Sequence, residues 1–113
     1  MTVKHERIKK SIDFEKIFQT GKTITGRFVF LKTKKTKNKN CRLCFVVSSR
    51  VSKRAVERNK TKRRLREIAR SVYLSLVPGY DIVIIAKKEI LGKKYAETKD
   101  EIIKTLKEAK IFQ

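Results

Sequence analysis

The sequence predicts an α+β fold in a single domain covering residues 1–113, with elements in the order α-β-β-β-α-β-α. Three observations lead there. The chain has 113 residues, which supports one compact domain and leaves no room for a second. Hydrophobic residues make up 40% of it, enough to bury a core and to set wholesale disorder aside. The spacing of those residues alternates between helical and extended periods along the chain.

Taken in order, Ser11 is the predicted N-cap of a first helix over residues 12–20, with Asp13 and Glu15 in the first turn, where the helix dipole favours acids. Ile12, Phe14, Ile17 and Phe18 recur at helical spacing, and Gly21 can end the helix. Residues 23–25 and 28–33 are β-branched and aromatic and read as strands, with Gly26 as a turn or bulge between them. A polar basic loop, KKTKNKN, fills residues 34–40, and CRLCFVVS at 41–48 reads as a third strand. Together these three strands suggest an antiparallel meander. Residues 54–76 have the strongest helical period: Thr61, Leu65, Ile68 and Val72, with Ala69 beside them, form one apolar stripe. Pro78-Gly79 breaks that helix. YDIVIIA at residues 80–86 is nearly all apolar and reads as a central strand buried on both faces. A last helix is expected from about residue 97 to 110, with Ile102, Ile103 and Leu106 inward.

Charge is the unusual feature. Lys+Arg number 31 against 11 Asp+Glu, a formal net charge of +20. Self-repulsion on that scale opposes folding unless an anion is near. Residues 1–80 hold 23 basic and 5 acidic residues, a balance of +18, whereas residues 81–113 hold 8 and 6, a balance of +2. The last third reads as scaffold and the rest as the working surface. This balance disfavours cationic substrates. The longest apolar run, residues 82–86, is far short of the ~20 residues of a membrane span, and residues 1–10 have no signal-type apolar core. Cys41 and Cys44 are the only cysteines, so a reducing cytoplasm is the expected compartment. Spaced i, i+3 on a strand, they point to opposite faces, which argues against a metal pair. His5 is the only histidine, and no Gly-rich phosphate loop is present, so the polypeptide is expected to have no catalytic residue, no metal site and no bound cofactor.

The densest stretch runs over residues 53–70, with nine basic residues in eighteen. With Thr61 at zero on a helical wheel of about 100° per residue, the apolar stripe lies between roughly −20° and +80°. Arg58, Lys62, Arg66, Asn59, Arg70 and Arg63 follow from about +60° to +200°, one arc with no acid in it. Like charges at i, i+4 destabilise a helix, each close pair by a few tenths of a kcal/mol. An arc that retains the repulsion suits phosphates, and the planar fork of arginine suits bidentate contact with them. Asn59 could read a base edge or a 2′-hydroxyl.

At these residues the chain resembles a known family. Residues 53–66, KRAVERNKTKRRLR, resemble the signature of the bacterial ribonuclease P protein component, an Arg-Asn-Arg/Lys core followed by further basic residues. Here the core is Arg58-Asn59-Lys60, continued by Lys62, Arg63 and Arg66, with Ala55 upstream. The similarity extends to Ser11-Ile12-Asp13-Phe14 with Phe18 and Gly21, Arg27-Phe28-Val29-Phe30, Val46-Val47-Ser48, and Gly79-Tyr80-Asp81-Ile82-Val83. Thr61 departs from the usual aliphatic residue and Cys44 from a common small one, both read as changes on a buried face.

The resemblance implies a ribosomal-protein-like sandwich whose basic helix lies in a left-handed β-α-β crossover. It implies a protein subunit of ribonuclease P that binds the catalytic RNA, which removes the 5′ leader of precursor tRNA and holds the Mg²⁺. By position, Lys53, Arg54, Arg58, Asn59, Lys60, Lys62, Arg63, Arg66 and Arg70 would hold that RNA. A cleft between the first helix and the sheet would take the single-stranded leader. Phe14 and Phe18 match its aromatic positions, Lys32 sits where an aromatic residue is sometimes found, and Arg7, Lys10 and Arg27 would extend it. The expected partners are the catalytic RNA and precursor tRNA, with no membrane and no required protein partner. Read without the resemblance, Phe14 and Phe18 are ordinary core residues. Charge and fold equally fit a ribosomal or other RNA-packaging protein, and a self-contained nuclease is the weakest alternative.

Overall fold

The computed structural model describes residues 6–7, 19, 21–37 and 41–113. Its centre is set by the most apolar strand. Tyr80–Ala86 (β5) buries five of its seven residues, so it needs a neighbour on each edge and a layer on each face. The other strands are Glu6–Arg7 (β1), Lys22–Thr25 (β2), Val29–Lys35 (β3) and Arg42–Val46 (β4), and the sheet order is β1-β4-β5-β3-β2. β1 pairs in parallel with β4 and β4 in parallel with β5, while β3 pairs antiparallel with β5 and β2 antiparallel with β3.

The antiparallel meander expected from the sequence therefore holds only for β2 and β3. β5 inserts between β3 and β4, and β4 pairs with β5 in parallel through a helical crossover. The reason is burial: β4 alternates buried and half-buried residues, whereas β5 is buried on both faces and takes the middle. The two-residue β1 was not expected. The predicted helix over residues 12–20, with its Ser11 cap, lies outside the described residues except for Gln19, which is helical and exposed.

The helix expected over residues 54–76 is Ala55–Val72, followed by a 3₁₀ turn at Tyr73–Ser75. The final helix is Tyr95–Glu108, starting two residues earlier than expected. Leu65, Ile68, Ala69 and Val72 from the first of these meet Ile102 and Leu106 from the second over Leu43 and Ile84 of the sheet. This seam is the core. Thr98 and Thr105 are buried within the last helix, and their hydroxyls donate to the carbonyls of Lys94 and Glu101 one turn back. The turn before β3 packs against that helix so closely that a Cβ at Gly26 would lie 2.5 Å from Thr105 Oγ1. Only glycine fits there.

One ion pair ties β4 to β5. The Arg42 guanidinium donates through Nε to Asp81 Oδ1 at 2.8 Å and through Nη2 to Oδ2 at 2.6 Å, between residues paired in register. The Asp81 side chain is 3% exposed and Arg42 19%. Removing one member leaves the other charge buried, which costs about 3–5 kcal/mol. Asp81→Ala should accordingly lower the unfolding free energy by about 3 kcal/mol in urea denaturation. A change below about 0.5 kcal/mol would show that the pair contributes nothing net.

Candidate nucleic-acid interface

The basic helix presents its cations because its other side is fixed. Leu65, Ile68, Ala69 and Val72 are buried, as the stripe requires. Thr61 is half-buried and donates its hydroxyl to Glu57 O at 2.9 Å, which lets a polar residue sit on the stripe. Arg54, at the N-cap position, makes no side-chain cap. Ser52 serves instead: its Oγ accepts the Arg54 N–H at 3.1 Å, and its carbonyl accepts from Arg58 Nη1 at 3.0 Å. The Arg58 side chain is thereby folded back along the first turn and held.

The arc divides into two rows. Arg58, Lys62 and Arg66 are half-buried along the shoulder of the stripe, and Asn59, Arg63 and Arg70 are exposed along the ridge beside them. Among the described residues, none of these five cations meets a carboxylate. The helix's ion pair is Arg54–Glu57, exposed, at 3.4 Å. Lys53 and Arg54 are exposed at the helix start and continue the arc toward the loop. Lys60 does not join it: it is exposed on the far side, at about 260° on the wheel. The positive end of the helix dipole adds to the field of Lys53, Arg54 and Arg58. An anion placed along these rows would meet guanidinium donors, a strong acceptor match for phosphate oxygens.

Arg64 falls outside both stripe and arc, so residue spacing does not single it out. It is half-buried and donates through Nη1 to Lys93 O at 2.6 Å. Its acceptor is remote in sequence.

Of the expected leader-cleft residues, Phe14, Phe18 and Lys10 lie outside the described residues, and Arg7 is described only as backbone of β1. Lys32 is half-buried on the sheet face away from the two helices, in register with Val83 of β5. Phe30 shares this face two residues away, half-buried, with Lys87 Nζ 5.0 Å from its ring centre. Strand alternation alone puts it beside Lys32. Arg27 is exposed and is not brought to Lys32. Its backbone N–H donates to Glu101 Oε1 of the last helix at 3.2 Å, and its guanidinium lies 5.5 Å from the Phe28 ring.

Cys41 is buried and donates its Sγ to Val77 O at 3.3 Å, while Cys44 is half-buried. Loss of hydration on burial pushes the Cys41 thiol up to about 11, opposed by a backbone hydrogen bond at Tyr80 and reinforced by the Asp81 carboxylate. Thr61 and Cys44 are half-buried, not fully buried as their reading as buried-face changes implied.

The family model described as Ribonuclease P matches residues 2–110. The ribonuclease P protein component of Streptococcus pneumoniae (strain Hungary19A-6) is 38% identical over 111 residues, covering 97% of this chain and 89% of that protein. That of Clostridium kluyveri is 33% identical over 109 residues, covering 95% and 96%. Among solved structures, the Staphylococcus aureus ribonuclease P protein superposes with a TM-score of 0.85 at 32% identity, over 97% of this chain and all of that one. The Thermotoga maritima protein gives 0.83 at 29% identity, over 92% and 97%.

An arc of cations that meets no carboxylate among the described residues should make stability depend on salt. Raising ionic strength from roughly 0.02 M to roughly 0.3 M shortens the screening length from above 20 Å to below 10 Å. The melting temperature should rise by several degrees over that range, and phosphate should raise it further than chloride at equal ionic strength. A melt that does not move with salt would show that the repulsion costs the fold little.

Proposed function

The chain belongs to the bacterial ribonuclease P protein component family, and from that premise we propose how this RNA-binding subunit divides the work with its RNA. The RNA subunit carries the hydrolysis of precursor tRNA and the Mg²⁺ it needs. The protein neutralises phosphates of that RNA along the arc Arg58, Lys62, Arg63, Arg66 and Arg70, with Asn59 among them and Lys53 and Arg54 at its start. Lys60 adds a contact from the far side of the helix.

The observation that carries this reading is the arc itself. Five cations without carboxylate partners among the described residues stand on a helix whose adjacent apolar stripe is locked into the core. Such a surface gains from counterion release when it meets a polyanion. Arg58, half-buried at the shoulder, is already held by the Ser52 carbonyl before RNA arrives.

The sheet face bearing Phe30 and Lys32 supplies the second role. With Phe14 and Phe18 of the N-terminal segment, and with Arg7 and Lys10, it takes the single-stranded 5′ leader. Aromatic faces stack unpaired bases without reading their sequence, each worth ~1–3 kcal/mol. Arg27 would act at the edge of this surface, from the side of the last helix. The subunit works in the cytoplasm, where its precursor tRNA substrate is made, and requires no protein partner.

Reconstitution tests the reading. Added to a bacterial ribonuclease P RNA at low Mg²⁺, the protein should stimulate cleavage of precursor tRNA, and no stimulation would refute the assignment. Arg58→Ala with Arg63→Ala should weaken binding to that RNA and lower the slope of log affinity against log salt by about 1–2. Phe18→Ala should weaken precursor binding more than mature-tRNA binding. Equal losses for both, with a fall in thermal stability, would place Phe18 in the core instead.

A further inference from the structure

The basic helix has a second cationic flank, turned away from the arc and toward the loop that precedes the last helix. We propose that the groove between this flank and residues 90–93 holds a further segment of RNA backbone, about one nucleotide long, apart from the RNA docked on the arc. The inference rests on the reading of the protein as a ribonuclease P subunit.

The groove has a volume of about 450 Å³ and is lined on the helix side by Lys60 and Arg64 and on the loop side by Leu91, Gly92 and Lys93. That volume falls in the range of small-ligand sites. Its one carboxylate, Glu57, is engaged by Arg54 at 3.4 Å, so the rim is cationic.

The two inner cations are ordered. One Nη of Arg64 is committed to Lys93 O at 2.6 Å, and the remaining donors of its guanidinium have no protein acceptor among the described residues. Lys93 Nζ lies 5.6 Å from the Phe28 ring centre, which holds its side chain against the core. A planar fork fixed at one corner with its other donors open is suited to a phosphate. Leu91, half-buried, offers an apolar wall on which a base or ribose can rest. Gly92 has φ +75°, and a Cβ there would meet nothing within 4 Å, so the loop backbone is uncovered on the way in. The combination of a fixed cation pair, an apolar wall and an open backbone matches a nucleotide better than a free anion, which would use only the first. Lys60, exposed on the helix beside the groove, lies between it and the ridge.

Equilibrium binding of the full-length protein to a bacterial ribonuclease P RNA transcript tests this. Arg64→Gln and Lys93→Gln should each weaken binding several-fold, and together lower the salt slope by about 1–2. Lys93→Gln leaves in place the carbonyl that anchors Arg64, so its loss of affinity cannot come from a broken anchor. Thermal melts of both variants should stay near that of the parent protein. Parent-like affinity and slope in both variants would overturn the inference. If Arg58→Ala with Arg63→Ala weakens binding while these two variants do not, the groove alone fails. If none of them weakens binding, the assignment of the helix to RNA fails with it.

Discussion

Five cations on one arc of an 18-residue helix repel each other, and the rest of the structure holds them together. The opposing forces can be ranked. Close like-charge pairs on a helix cost a few tenths of a kcal/mol each in water. Burying a single Leu or Ile side chain contributes roughly 1.5–3 kcal/mol. Leu65, Ile68 and Val72 are all buried against the sheet and the last helix, so packing outweighs repulsion with a margin to spare. The helix is therefore set by its apolar stripe, and the arc is free to be as basic as its partner requires.

That priority explains where the cations are ordered and where they are not. Next to the stripe, Arg58 is strapped to Ser52 and Arg64 to Lys93. Farther round, Arg63 and Arg70 stand in solvent. The sheet supplies rigidity beneath. β5 sits in its middle, and the Arg42–Asp81 pair ties β4, which leads into the helix, to the strand that follows it. The segment after the 3₁₀ turn is closed by the chain's end, with Val77 N–H donating to Ile111 O at 2.6 Å and Gln113 N–H to Ser75 O at 2.6 Å. The C-terminal third, nearly neutral in charge, is the clamp on which the basic helix is mounted.

Local features of this arrangement were legible in the sequence, and non-local ones were not. The stripe, the cationic arc, the apolar run of β5 and the turn at Gly26 each follow from residue spacing within one segment. The insertion of β5 between β3 and β4 depends on pairing between segments more than 30 residues apart, for which spacing carries no signal. The helix stops at Val72, short of the predicted end, where Tyr73 donates its hydroxyl to Cys41 O at 2.8 Å across the fold. Arg64 carries no local signal because its acceptor, Lys93 O, lies 29 residues away. Lys60 and the leader cleft have no signal in residue spacing and are named only by the resemblance to the family.

The central claim is that RNA docks on the basic helix and not on the last helix, Tyr95–Glu108. Lysine acetylation footprinting of the protein with and without ribonuclease P RNA measures this directly. The account predicts that RNA protects Lys53 and Lys62, on the arc, while Lys104 and Lys107 of the last helix keep their reactivity. Equal protection of all four, or protection of Lys104 and Lys107 alone, would contradict it.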